Sequence, residues 1–346
     1  MILASHFLVH NVTDYTVLEP GFTRFLLQTF LETSGKVGVV VFFTISAWFF
    51  LDRSQTVHGC VRRVWMLERE VLFYSLLLAA LYILFDKTDI GPLMVLHSLL
   101  PLTWGVWWYP TAYALFLLFL PFLDRALRLL GRRDHLALCA LMLVLYGVVS
   151  LVPGAQMVSG VYSFVYLYVL ISAYRWYFEA RFALSPARLI IAGFALVSVY
   201  VIWSMFAFEF GGYQLGARYH NFVTDEVRLP CLLIGFGIFQ IFRRFEFHSR
   251  IINWIAAGSF AVYLITDYGA SQVFLWKGRL DLEVALSSPL CFFRAVILLI
   301  CIYLVCTVID AVRRMLFARF VDDRWSSLFD SAWGRVSNSA YKLLDF

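Results

Sequence analysis

Apolar stretches separated by short polar gaps run through nearly the whole chain. A stretch of about 20 apolar residues is long enough to cross a bilayer as a helix. The pattern predicts an all-α polytopic membrane protein with about ten transmembrane helices, the first of them truncated. The predicted helices lie at 1–13, 37–51, 70–85, 108–123, 135–152, 158–177, 189–208, 229–242, 252–268 and 289–312.

The two ends of the chain differ from the rest. The first apolar stretch has 13 residues, which as a helix rise about 20 Å and fall short of the ~30 Å hydrocarbon core. Residues 313–346 alternate charged and aromatic side chains, which is typical of an amphipathic helix at a membrane surface. We therefore predict a membrane bundle over 1–312 and a cytoplasmic amphipathic tail over 313–346.

Positive charge alternates from gap to gap. Of the 28 Lys and Arg residues, 20 fall in every second gap and in the tail, and 8 lie on the other side, Arg24, Lys36 and Arg228 among them. Basic residues are retained on the cytoplasmic side of a membrane. The asymmetry predicts a multi-pass plasma (inner) membrane protein with a cytoplasmic C-terminus.

Composition agrees with a membrane protein and excludes some partners. Apolar residues make up 62% of the chain and charged residues 15%, with a mean hydropathy of +0.78, whereas soluble domains carry roughly 25% charge. The net charge of +5 lies along one membrane face, so we expect no nucleic-acid partner. The six cysteines show neither a CxxC motif nor metal-ligand spacing, so we expect packing residues and no metal site.

A titratable residue inside an apolar stretch is costly in lipid, so it usually faces the bundle interior and often marks a site. His6 is the clearest case, because imidazole exchanges protons near neutral pH. A hydrogen bond between helices would explain its position equally well. His10, one turn later, is expected at the interface.

Three other segments carry groups that could bind ligands. Gly38 and Ala47 permit close helix approach, and between them Ser46 is explained more simply by a bond to its own backbone than by catalysis. Aromatic residues at an outer boundary either form an interfacial belt or stack on a sugar face. Paired arginines either anchor the topology or bind phosphate groups through their guanidinium forks. These aromatic and basic residues are Trp108, Tyr109, Tyr113, Arg62 and Arg63.

Taken in order, these segments resemble the acyltransferase-3 family of integral-membrane O-acyltransferases over about residues 1–312. Ser5-His6-Phe7 resembles the end of the family's first helix. The run from Gly38-Val39 through Phe42-Phe43 to Ser46-Ala47-Trp48 resembles its glycine–valine, paired-phenylalanine and serine–glycine signature, with Ala47 in place of the last glycine.

The later motifs resemble the same family. Arg62-Arg63 followed by Arg69 is similar to its basic loop. Trp108-Tyr109, with Tyr113 and Pro121, is similar to its aromatic segment. The run from Ala261 to Asp267 resembles its late motif, with Thr266 where the family usually has a histidine.

The resemblance implies transfer of an acyl group, with acetyl expected, from acyl-CoA to a hydroxyl of an envelope polysaccharide or lipid-linked sugar. His6 would be the catalytic base, and Arg62, Arg63 and Arg69 would bind the donor. The passage or acceptor site would be lined by Ser46, Trp108, Tyr109 and Tyr113. The expected partners are membrane lipid, the glycan acceptor and acyl-CoA as co-substrate, with no bound cofactor and no metal.

Two other functions fit the same pattern. A non-catalytic flippase or exporter of a lipid-linked saccharide would need charged residues along several helices, whereas Glu70 and Arg294 lie near helix ends. An assembly partner whose site has decayed would agree with the short first helix.

Overall fold

The structure is a computed structural model that describes residues 1–11, 21–85, 92–152, 160–180, 185–220, 225–246, 248–277 and 282–344. Over these ranges the chain is helical and contains no strand, which confirms the predicted all-α class. The helices, in chain order, are α1 Ile2–Asn11, α2 Phe22–Leu26, α3 Thr33–Phe50, α4 Val57–Phe85, α5 Pro92–Leu99, α6 Trp108–Leu129, α7 Gly131–Met142, α8 Val161–Ala173, α9 Pro186–His220, α10 Leu229–Phe242, α11 Arg250–Ala257, α12 Ser259–Thr266, α13 Gly269–Gln272, α14 Leu282–Leu286, α15 Pro289–Phe320 and α16 Asp322–Leu344.

Wider helical turns join or extend several of these helices. A π-helical segment, Leu27–Glu32, joins α2 to α3, so that Phe22–Phe50 forms one helix of 29 residues. Other π-helical turns follow α7, α8 and α13. π turns are rare, and those that occur are often found at functional sites. The segment before α3 is therefore a candidate for such a site.

Among the residues that the structure describes, four helices are long and apolar enough to cross a membrane, namely Phe22–Phe50, Gly131–Leu151, Pro186–Ala207 and Pro289–Phe320. A fifth span results if Arg250–Thr266 and Gly269–Trp276 are counted together as one broken helix. The apolar α10 has 14 residues and rises only about 21 Å, too little to cross the hydrocarbon core. The chain is a multi-pass membrane protein, and the predicted number of about ten spans is not confirmed.

The four long helices differ in how much of their apolar surface is covered. In Phe22–Phe50, 56% of the apolar window is buried, against 22% in each of the other three. An apolar surface left uncovered by protein suits contact with lipid chains. The helix that contains α3 is therefore the one of the four that is most covered by protein.

The chain divides into two compact units. The first comprises Met1–Ser54, Phe122–His248 and Gly269–Leu299, and within it α3 packs against α1, α8 and α10. The second comprises Gln55–Pro121, Ser249–Tyr268 and Ile300–Phe346, and within it α4 packs against α5, α12 and α16. The predicted division into a bundle and a tail stays a prediction, although the tail does contain a helix.

Candidate active site

Two glycines hold α1 against α3 in the first unit. A β-carbon added at Gly35 would lie 2.3 Å from Ser5 Oγ, and one added at Gly38 would lie 2.8 Å from Ile2 Cγ1. Ser5 Oγ also donates a hydrogen bond to the Glu32 main-chain carbonyl at 3.2 Å. Only a residue without a side chain permits this approach, so the close packing predicted at Gly38 is confirmed.

The direction of α1 decides which predicted residues lie near His6. Since Ile2 meets Gly38 and Ser5 meets Gly35, α1 runs antiparallel to α3 and His6 lies toward its N-terminal end. Ser46 follows Gly35 by 11 residues, which is about 16 Å along a helix axis. The structure therefore does not bring Ser46 to His6. Ser46 Oγ instead donates to the Phe42 carbonyl of its own helix at 3.4 Å.

His6 lies half-buried beside aromatic side chains. Its ring centroid is 5.2 Å from that of His10, and the His10 ring stacks on Trp276 at 6.4 Å. The buried Phe7 contacts the same indole, with ring centroids 6.4 Å apart. Helix α1 thus packs against α3 on one side and against Trp276 on another, and both contacts restrict its orientation. A catalytic side chain such as the one proposed for His6 must be held in a fixed position relative to its substrate.

A buried polar stripe on the segment before α3 was missed by the sequence analysis, which placed Arg24 on the outer side. Arg24, Gln28 and Glu32 are exposed by only 1–2%, and Arg24 Nε donates to Gln28 Oε1 at 3.3 Å. Their spacing of four residues puts them on one helix face, and this spacing was the signal available in the sequence. Buried charge in a membrane helix is by default a functional-site hypothesis.

A second polar cluster joins α3 to the segment before α10. Lys36 Nζ lies 2.9 Å from Glu226 Oε2, and Ser163 Oγ donates to Glu226 Oε1 at 2.9 Å. Burial alone would raise the pKa of Glu226, but the Lys36 ammonium and the hydrogen bonds outweigh it and hold that pKa below its usual value. Burial and the neighbouring Glu226 carboxylate raise the pKa of Asp225. Glu226 is therefore the ionised partner of Lys36.

Aromatic residues cluster in the second unit. Tyr109 is buried and stacks on Tyr113 at 6.0 Å, while its ring meets Tyr263 edge-on at 6.3 Å. Trp108 is exposed and contacts the Tyr109 ring at 5.6 Å. The structure therefore brings the three predicted aromatic residues together, although Tyr109 is a packing residue rather than an open platform.

Trp107, next to this cluster, was not singled out from the sequence. Its side chain is 1% exposed, and Nε1 donates to the Leu264 carbonyl at 3.1 Å. Thr266, at the position of the family's late histidine, donates to the Val262 carbonyl within its own helix at 2.8 Å. The Trp107 bond connects the aromatic segment to α12, and the Thr266 bond gives this side chain a partner within α12.

The three predicted donor-binding arginines have different surroundings on α4. Arg62 is exposed, and among the described residues it has no ion-pair partner. Arg63 Nη1 donates to Gln55 Oε1 at 2.9 Å. Arg69 is mostly buried and pairs with Asp322. Arg62 is thus the guanidinium most available to a ligand.

A buried ionic network connects α4 to α15. Asp310 is fully buried and accepts hydrogen bonds from Tyr74 Oη at 2.9 Å and from Arg313 Nε at 2.8 Å. Arg313 Nη2 also donates to Glu70 Oε1 at 3.0 Å. Because each charge has a partner within the network, the buried charges do not require a ligand.

The predicted site residues divide between the two units. His6 and Ser46 belong to the first, whereas Arg62, Arg63, Arg69, Trp108, Tyr109 and Tyr113 belong to the second. Within the first unit, Ser5, which precedes His6, donates to the Glu32 carbonyl, so the buried polar stripe lies beside α1. Within the second, the arginines lie on the N-terminal turns of α4 and the aromatic residues on α6.

Comparison with known proteins identifies the family to which the chain belongs. The acyltransferase domain family matches residues 1–311, which include every predicted site residue. No curated protein and no solved structure matches the chain. A match over so much of the chain shows that the protein belongs to the acyltransferase-3 family.

Proposed function

We propose that the protein transfers an acyl group, with acetyl as the leading candidate, from acyl-CoA to a hydroxyl of an envelope polysaccharide or lipid-linked sugar. The family supports acyl transfer to a sugar or a similar acceptor. The observation that carries the proposal is the position of His6 on a helix fixed by Gly35, Gly38 and the Trp276 ring. A general base must be held in one orientation relative to its substrate.

In the proposed reaction, His6 accepts the proton of the acceptor hydroxyl. The oxygen of that hydroxyl attacks the thioester carbonyl. The new C–O bond forms, the C–S bond breaks, and the CoA thiolate leaves and takes up the proton. The thioester supplies the activation, so the protein contributes mainly positioning and proton transfer. No metal is needed for this step.

On the donor side, Arg62 and Arg63 are proposed to bind the phosphate groups of CoA. Guanidinium groups bind phosphate oxygens in a bidentate manner. The exposed position of Arg62 and its lack of an ion-pair partner among the described residues support this role. Tyr113 and Trp108 remain the proposed acceptor-side contacts.

The proposal is tested by an acetyl-transfer assay with purified protein in nanodiscs, labelled acetyl-CoA and a glycan acceptor. We expect His6→Gln to lower the transfer rate by about 10²–10⁴-fold, the usual contribution of general-base catalysis. The control is His248→Ala, at an exposed position outside the described contacts of α1. Full transfer by His6→Gln would refute the role of His6, and absence of transfer by the unmodified protein would refute the function.

A second candidate, export of a lipid-linked saccharide without chemistry, is favoured by one observation. Arg24 and Glu32 are buried charges in a helix long enough to span a membrane, and such charges also mark transport pathways. The same substrates separate the two functions when the protein is reconstituted in vesicles instead of nanodiscs. An exporter would move the glycan across a vesicle membrane and leave no label attached to it.

A further inference from the structure

Helix α16 docks on the N-terminal half of α4, and α16 itself lies outside the family match, which ends at residue 311. On each helix the contacting residues are spaced by three, four or seven, so they lie on one face. The contacting residues are His58, Trp65 and Arg69 of α4 and Asp322, Trp325, Phe329 and Trp333 of α16.

The centre of the contact is a reciprocal pair of tryptophans. Trp65 Nε1 donates to the Trp325 carbonyl at 3.0 Å, and Trp325 Nε1 donates to the Trp65 carbonyl at 3.0 Å. The two indole rings stack at 4.7 Å. Two directed hydrogen bonds and a stacked pair fix the register of the helices, because sliding by one residue would break both bonds.

Each side of this pair has its own contact. On one side, Arg69 Nη1 donates to Asp322 Oδ1, and the guanidinium lies over the Phe317 ring at 5.4 Å. On the other side, the His58 ring contacts Phe329 at 5.4 Å and Trp333 at 5.1 Å. Phe329 is only 3% exposed. The docking therefore extends over about three helical turns of α4, from residue 58 to residue 69.

Arg62 lies between these contacts on the same face of α4, four residues after His58 and three before Trp65. Its side chain is nevertheless exposed and has no ion-pair partner in the described part of the chain. Arg63, beside it, is also exposed and is held by Gln55. The docked helix thus fixes the backbone on both sides of the arginine pair and leaves Arg62 accessible.

We propose that α16 is a positioning element for donor binding, in which Asp322 and Trp325 hold the Arg62–Arg63 turn in one orientation for the phosphate groups of acyl-CoA. This inference rests on the proposed function. Arg69 then acts as the attachment point of α16 rather than as a phosphate ligand. Fixing a binding segment in advance lowers the conformational entropy lost when the ligand binds.

Acetyl-CoA binding and acetyl transfer are measured on the full-length protein in nanodiscs. We expect Asp322→Ala to raise the Kd and KM for acetyl-CoA about fivefold, the effect of losing one partly exposed ion pair. The KM for the acceptor and the value of kcat should stay unchanged. Asp322→Glu should restore donor affinity. Asp323→Ala, which removes the adjacent exposed carboxylate, is the matched control and should behave as the unmodified protein.

Trp325→Phe gives a second test, since it keeps the ring and removes one hydrogen bond. It should also weaken donor binding while the protein stays folded, as judged by its thermal unfolding. Unchanged donor affinity in both variants would overturn the inference and leave the proposed function intact. Tighter donor binding in Asp322→Ala would also overturn it, because Asp322 would then compete with phosphate for Arg69. If the unmodified protein neither binds acetyl-CoA nor transfers acetyl, the proposed function itself fails.

Discussion

The contact between α1 and α3 gives a direct test of whether His6 is held in place by packing. Gly35→Ala adds a β-carbon that would lie 2.3 Å from Ser5 Oγ and 2.7 Å from Ser5 Cβ. Non-bonded carbon atoms pack at about 3.5–4.0 Å, so α1 has to move by roughly 1 Å. His6 follows Ser5 directly and must move with it.

Two magnitudes follow from this displacement. Inserting a carbon into a close-packed contact costs about 1–3 kcal/mol of stability. A shift of about 1 Å in a catalytic group lowers a rate by about 10²-fold. We therefore expect Gly35→Ala to lower the melting temperature modestly and the rate of acyl transfer strongly.

The assay is acetyl transfer to a glycan acceptor, with thermal unfolding measured on the same preparation. Gly334→Ala is the matched control, because no atom lies within 4 Å of a β-carbon added there. Ser5→Gly in the Gly35→Ala background removes the clashing atoms and should recover much of the rate. Transfer within twofold of the unmodified protein in Gly35→Ala alone would contradict the proposed role of this contact.

Three further predictions concern the polar contacts. Because the pKa of Glu226 is held below its usual value of 4.5, its pairing with Lys36 stabilises the fold fully above that pH, and this contribution is lost as the pH falls through the lowered pKa. Lys36→Met should therefore lower the melting temperature at pH 7 more than at pH 3, as pH-dependent thermal unfolding will show. Asp310→Asn takes away one of the two carboxylates that pair with the buried Arg313 and leaves Glu70, so it should destabilise the protein by about 1–3 kcal/mol in denaturant unfolding. Trp107→Phe removes one buried hydrogen bond to α12 and should cost about 1 kcal/mol, whereas a loss of transfer without loss of stability would indicate a role beyond packing.

The buried charges divide into two kinds, which bear on function differently. Asp310 and Arg313 satisfy each other near the end of α15, so their presence needs no ligand. Arg24 and Glu32 occupy the helix against which α1 packs, next to the segment that carries His6. Mutation of the first pair should affect stability, and mutation of the second should affect the reaction.

The sequence by itself determined the helical class, the membrane character and the close approach at Gly38. These features depend on local properties, because hydropathy and backbone hydrogen bonding act within a few residues. The order of motifs likewise identified the family before any contact was known. The spacing of Arg24, Gln28 and Glu32 was visible too, but their burial was not.

Only the tertiary structure decided the partners of the charged and aromatic residues. Arg69 pairs with a carboxylate 253 positions away, and Lys36 with one 190 positions away. Ser46, which shares a motif with Gly38, points its hydroxyl to its own helix and lies far from His6. The physical reason is that a side chain has many carboxylates or hydroxyls of suitable chemistry along the sequence, and packing of the helices selects which one comes within hydrogen-bonding distance.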